Sequence, residues 1–258
     1  MGATAQVPTV AALRPLVQPP YVRARPAEHW TADVYLRAVS PYLTRRFLLW
    51  GASADAVTWL MVGTGVLSGL ALLLPGLTGA LLAVGLGQLQ MLLDCCDGEV
   101  ARYRGTSSAR GVFLDKLGHY GAETSLALAL GARAALEDDL AWGMTAGALL
   151  ALGIVANRAV NDMVHASRAV GGLPPLTAEV AHKPDRRGWG RAWSAARALP
   201  VHRVLHSVEL TLLALVAALV SAVADVPATA WLVVVAVPVV ALVLVGHVAA
   251  VLTSTRLR

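Results

Sequence analysis

The stretch LLDCCDGEVARYRGTSSARGVFLDKLGHYGAE, residues Leu92–Glu123, decides how the chain is read. Its flanks are strongly apolar, yet it carries Asp94, Asp97, Glu99, Asp115, His119 and Glu123. On a helix, Asp94, Asp97, Gly98 and Ala101 stand at i, i+3, i+4 and i+7 and share one face; Asp115 and His119, at i and i+4, share a face of the next helix. The intervening RGTSSARG lets the chain reverse, with Gly105 as the expected C-cap and Ser107 or Ser108 as the expected N-cap. Two antiparallel helices thus bring carboxylates together.

Working outward, the 258-residue chain is 57% hydrophobic and 14% charged, with a mean hydropathy of +0.62; an ordinary soluble domain is about 25% charged. Such a shortage of charge indicates an integral membrane protein. Six apolar stretches approach the ~20 residues needed to span a bilayer: residues 55–75, 77–104, 111–133, 140–166, 206–224 and 230–252. Before them, ADVYLRAVSPYLTRRFLLWG mixes Leu, Tyr, Phe and Trp with Arg37, Arg45 and Arg46, as a helix lying in the membrane interface would. The expected fold class is therefore all-α: a polytopic membrane protein of six transmembrane helices preceded by an interfacial amphipathic helix.

Charge sets the orientation. Residues 1–54 hold six Arg, 102–116 four Lys or Arg, and 168–203 seven, and the chain ends with Arg256 and Arg258, whereas the connectors PG, EDD and DVPAT carry none. The positive-inside rule places both termini in the cytosol of a multi-pass cell-membrane protein. Residues 1–29 read as a cytosolic, partly disordered arm, 30–254 as the membrane domain with a cytosolic loop at 167–205, and 255–258 as a cytosolic tail. Within that loop, Trp189 to Ala198 could form a short interfacial helix. No signal-peptide core is present, and Gln6 breaks a myristoylation pattern. Although the net charge is +5, no basic run is interleaved with aromatics, so a nucleic-acid partner is not expected. Cys95 and Cys96 lack zinc-site spacing and read as packing residues.

Ionisable groups at the centre of a membrane helix cost about 2.5–3.5 kcal/mol each or more, so they need a charge partner or a water-filled cavity. Aspartates at this density call for a cation, and hard oxygen ligands favour Mg2+ or Mn2+. Gly98 and Ala101 leave a bare backbone surface beside them, and Arg102 adds a fixed positive charge. Divalent cation, bare surface and Arg together suit a pyrophosphate.

Spelled out, the pattern is Asp94-x2-Asp97-Gly98-x2-Ala101-Arg102-x8-Gly111-x3-Asp115-x3-His119. It resembles the signature of the CDP-alcohol phosphotransferase family, D-x2-D-G-x2-A-R-x8-G-x3-D-x3-D, at every fixed position but the last. GASADAVTW resembles the family's SPNxVT junction, keeping Thr58 and replacing Pro and Asn with Ala54 and Asp55. The resemblance implies displacement at a phosphorus of a CDP-linked lipid donor, usually CDP-diacylglycerol, by an acceptor hydroxyl, with CMP leaving. It further implies that Asp94, Asp97, Asp115 and His119 hold the metal. Thr58, Asp97, Gly98, Ala101, Arg102 and Gly111 would surround the CDP moiety, and the catalytic pair would be Asp115 and His119. Membrane lipids are the surroundings, and a homodimer is compatible with this reading.

In the family the last acidic residue is both ligand and general base, and a neutral imidazole can fill either role. Three readings stay open: His119 is the base, Glu123 one turn on shares the role, or the chain binds nucleotide without turnover. The acceptor is read as a polyol or sugar phosphate, with an aminoalcohol as the alternative. A cation transporter would also use intramembrane carboxylates but would not require the Gly and Arg spacing. Elsewhere, Arg158, Asn161, Asp162 and His165 share a face of the fourth span; they could line an acceptor cavity, hydrogen-bond between helices, or pair internally as Arg158 with Asp162. His202 and His206 near Glu209 read as structural, Gln88 and Gln90 as packing or cavity residues, and Trp142 and Trp231 as interfacial anchors on the far side.

Overall fold

The computed structural model describes residues 7–23, 31–174 and 206–257. The expected loop helix at 189–198 and His202 lie outside the described residues. Every regular element among those described is helical. Helix α1 (Val10–Val17) and the single turn α2 (Pro20–Arg23) lie where a partly disordered arm was expected. A π-helical turn, Ala32–Leu36, then runs into α3 (Arg37–Leu49). Six long helices follow: α4 (Ala54–Ala71), α5 (Gly76–Arg104), α6 (Ala109–Glu137), α7 (Gly143–Val170), α8 (Ser207–Ala224) and α9 (Ala228–Thr253).

Local chemistry sets the ends. Ser53 caps α4 by accepting the Ala56 N–H at 3.2 Å, and α4 stops at Ala71 because the chain turns through Leu72–Leu74 into Pro75, which cannot continue a helix. Gly105, at φ +66°, closes α5 in the left-handed conformation that favours glycine. Of the two serines, Ser108 is the N-cap of α6, its Oγ accepting the Gly111 N–H at 3.1 Å.

Helices α4, α5, α7, α8 and α9 are long and apolar enough to cross a membrane by length and composition. Helix α6 does not qualify, although at 29 residues it is as long as α5, because Asp115, Lys116, His119, Glu123 and Arg133 lower its hydropathy. Five candidate spans are thus found where six were expected. Large side chains such as Leu67, Leu152, Val235 and Leu242 face outward, as they do where the solvent is lipid, while small residues bring the helices together. A Cβ at Gly147 on α7 would lie 2.9 Å from the Ala127 carbonyl oxygen of α6. Larger apolar residues, including Leu126, Leu130, Leu150 and Leu210, fill the centre.

Helix α3 buries Ser40, Thr44, Phe47 and Leu48 against the bundle and exposes Val39, Tyr42, Leu49 and Trp50, the two-sided character of an interfacial helix. At the end remote from Gly105, Arg133 donates to Glu137 at 2.8 Å and to the Gly76 carbonyl at 2.6 Å. Trp142 and Trp231, both well exposed, begin α7 and α9 at that same end.

One feature of the packing positions the site. Helix α4 packs along both α5 and α6, whereas the backbones of α5 and α6 do not pack closely on each other. Near the Gly105 turn their facing side chains therefore meet across an opening.

Candidate active site

Across that opening, Asp94 of α5 meets Asp115 and His119 of α6, one ligand atom from each lying within 4.8 Å of the others. His119 Nε2 is 3.1 Å from Asp94 Oδ1 and 3.5 Å from Asp115 Oδ1. The imidazole is buried, and both aspartates are partly open. Two carboxylates and an imidazole nitrogen converging on one point are a donor set that fits a divalent cation. The same Nε2 that approaches Asp94 is the nitrogen that faces this point.

Asp97, expected with these ligands, stands beside the three whose ligand atoms converge. Its Oδ2 accepts the Thr58 hydroxyl at 2.9 Å and its Oδ1 the Gly98 N–H at 2.5 Å. Three residues along α5 rotate it from the α6 side, where Asp94 points, toward α4. It still faces the same cavity. That cavity, of about 280 Å³, is lined by Thr58, Asp94, Asp97, Gly98, Ala101, Gly111 and Asp115, together with Asp55 and the Ser107–Ser108 connector. Seven of the nine residues expected at the site therefore share one wall, and Arg102 and His119 flank it.

Arg102 also differs from expectation in its setting. Its Nε donates to the Val17 carbonyl at 2.6 Å, and a Cβ at Gly98 would lie 3.0 Å from its Nη1. The surface beside Gly98 is not bare: the Arg102 guanidinium lies over it, and glycine leaves the room it occupies.

Asp55 was not among the expected site residues, although its substitution in the GASADAVTW junction marked it. It stands at the cavity rim, with Arg110 Nε 3.2 Å away. That exposed pair contributes about 0–1 kcal/mol.

The two glutamates of the opening stretch serve other ends. Glu99 lies on the opposite side of α5 and accepts from Gln18 at 2.7 Å, Ser40 at 2.5 Å and Thr44 at 2.6 Å. Glu123, almost fully buried, binds Arg158 through both of its oxygens, Nη2 at 2.6 Å, with His206 Nδ1 3.7 Å away. Asp162 pairs with Lys116 and accepts the Tyr120 hydroxyl at 3.1 Å. Arg158 and Asp162 thus bond between helices, and among the described residues no ion pair joins the two to each other. A glutamate committed to a guanidinium in this way is poorly placed to collect a proton. Glu123→Gln breaks a buried pair and is expected to destabilise the protein by about 3–5 kcal/mol; a melting temperature equal to wild type would remove the pair from the account.

Tyr35 donates to Gln88. Gln90 is fully buried at the α4–α5 packing surface, close to Gly65.

Carboxylates, an imidazole and an arginine gathered at one end of an all-helical bundle are groups that suit a divalent cation and a phosphate ester. The model of the CDP-alcohol phosphatidyltransferase family matches residues 52–181, half of the chain. The protein belongs to that family of transferases, and every cavity residue named above lies within the match. A search of curated proteins found no significant match.

Proposed function

We propose that the protein transfers the phosphatidyl group of CDP-diacylglycerol to the hydroxyl of a polyol or sugar phosphate in phospholipid biosynthesis. The observation that carries this reading is the convergence of Asp94, Asp97, Gly98, Ala101, Gly111 and Asp115 on one cavity within the family match. The acceptor oxygen attacks the phosphorus that bears the diacylglycerol, the bond from that phosphorus to the CMP oxygen breaks, and CMP departs with the electron pair.

Asp94 and Asp115 would hold Mg2+ or Mn2+, with the Asp97 carboxylate lining the same cavity beside them; the ion would supply neutralisation of charge on the phosphoryl oxygens. Thr58 fixes the Asp97 carboxylate. Arg102 offers its terminal nitrogens to the diphosphate beside Gly98. His119 takes the acceptor proton in its neutral form with the receiving nitrogen unprotonated. Lys116 and Arg158, each paired with a carboxylate at this end of the bundle, are the cations that an anionic acceptor would share.

In this reading α6 is the sixth span, its charges turned inward to the cavity and to α7, and the Gly105 turn faces the cytosol with both termini. Single cysteines placed at Ser107 and Asp138, with Cys95 and Cys96 replaced, should label from opposite sides of sealed vesicles. Labelling of both from one side would defeat the six-span topology. The function itself is tested by mass spectrometry of the lipid formed from CDP-diacylglycerol with a panel of inositol phosphate, glycerol phosphate, serine, ethanolamine and choline. A lipid bearing a second phosphate, contributed by inositol phosphate or glycerol phosphate, is expected. Product from the aminoalcohols alone would transfer the chain to the aminoalcohol class.

A further inference from the structure

Arg102 reaches the site held from behind by a part of the chain that the family match, starting at residue 52, leaves out. Helix α1 ends against α5, burying Leu13 and Val17 completely in a cluster with Phe47, Leu93, Cys96 and Val100. Its last carbonyls have no partner within the helix and stand at the negative end of its dipole. One of them, Val17 O, accepts Arg102 Nε at 2.6 Å. The next residue, Gln18, is 4% exposed and donates from Nε2 to Glu99 Oε1 at 2.7 Å and to the Arg37 carbonyl at 2.7 Å. Glu99 and Arg102 are three residues apart on α5, so the last residue of α1 and its C-cap, Gln18, hold neighbouring positions on one side of that helix.

An Arg side chain has several rotatable bonds and loses much freedom when fixed. Binding Nε to a carbonyl fixes the plane of the guanidinium and directs Nη1 and Nη2 over Gly98, at the cavity wall. From this we infer that α1 and Gln18 are positioning residues of the site: they orient Arg102 for the diphosphate of the nucleotide donor, and Glu99 is the anchor that holds α1 in place. The inference rests on the proposed function for the identity of the ligand. It assigns to the N-terminal segment a role in nucleotide affinity.

The test is a double-mutant cycle on CDP affinity, measured by calorimetry on the full chain in lipid nanodiscs with Mg2+. Two alterations detach α1: deletion of residues 2–18, and Gln18→Glu, which sets a second carboxylate against Glu99. Each is expected to weaken CDP binding about tenfold, the size of a lost charge-assisted hydrogen bond, and to raise KM for the donor with kcat little changed. Arg102→Ala alone should weaken binding at least as much. Combined with Arg102→Ala, neither alteration should weaken binding further, because α1 acts through Arg102. Restoring a neutral partner, as in Gln18→Glu with Glu99→Gln, should recover most of the affinity.

Losses that add in the double variants would overturn the inference and make α1 a stabilising element only, as would a loss confined to kcat or to melting temperature. Should the deletion fail to fold, Gln18→Glu carries the same cycle. A wild type that binds no CDP overturns the proposed function and this inference with it, whereas a wild type that binds CDP with additive losses overturns only the role of α1.

Discussion

Asp94→Asn and Asp115→Asn are each expected to reduce CMP release to background in a protein that still folds. The amide keeps the size and shape of the carboxylate and removes its charge. Loss of an outer-shell partner of a metal costs roughly 10–100-fold in affinity or activity, and loss of a ligand costs more. Neither residue is part of the packed core: Asp94 and Asp115 are partly open to the cavity, so melting temperature should change little. Asp97→Asn should behave differently in degree, because Asp97 faces Thr58 rather than the Asp94–Asp115–His119 group. Raising the Mg2+ or Mn2+ concentration should recover Asp97→Asn further than the other two. Equal inactivation of all three at every metal concentration would return Asp97 to the ligand group that the sequence pattern implied.

The second large effect is expected at His119. If the imidazole accepts the proton of the acceptor hydroxyl, His119→Ala lowers kcat by about 10²–10⁴ while leaving CDP binding nearly intact. His119→Asp restores the family's acidic set and should retain activity, with the acid limb of its rate profile displaced to lower pH. The sign follows from the side chains: a base works only when unprotonated, imidazole has a reference pKa near 6.5 and a carboxyl near 3.9, and so the histidine enzyme loses activity first as pH falls. Activity in His119→Ala together with inactivity in a folded Glu123→Gln would move the base to Glu123, despite its pairing with Arg158.

Much of this arrangement was legible in the sequence, and the reason is periodicity. The spacing of Asp94, Asp97, Gly98 and Ala101 placed them on one face, and Asp115 with His119 on another; Gly105 and a serine cap, Ser108, were expected where they stand. These are local properties, fixed within a turn or two of helix. What could not be read was the neighbour that each face meets. Asp97 turns to Thr58 because α4 lies beside both α5 and α6, a matter of tertiary packing. Arg158 finds Glu123, 35 residues away, in preference to Asp162 one turn along its own helix. Glu99 and Arg102 are held by Gln18 and Val17, 81 and 85 residues distant, and nothing in the composition of the N-terminal arm signals that contact. Hydropathy does not mark α6 as a candidate span, because Asp115, Lys116, His119, Glu123 and Arg133 lower the average by which a span is recognised.

The most direct measurement is CMP release by the purified protein in lipid nanodiscs, supplied with CDP-diacylglycerol, Mg2+ or Mn2+, and the acceptor panel. Release is expected only when divalent ion and an acceptor are both present, and it should disappear with chelator and in Asp115→Asn. CDP binding of normal strength without CMP release, with every acceptor and either ion, would contradict the account and leave a membrane protein that has kept the nucleotide site and lost the transfer.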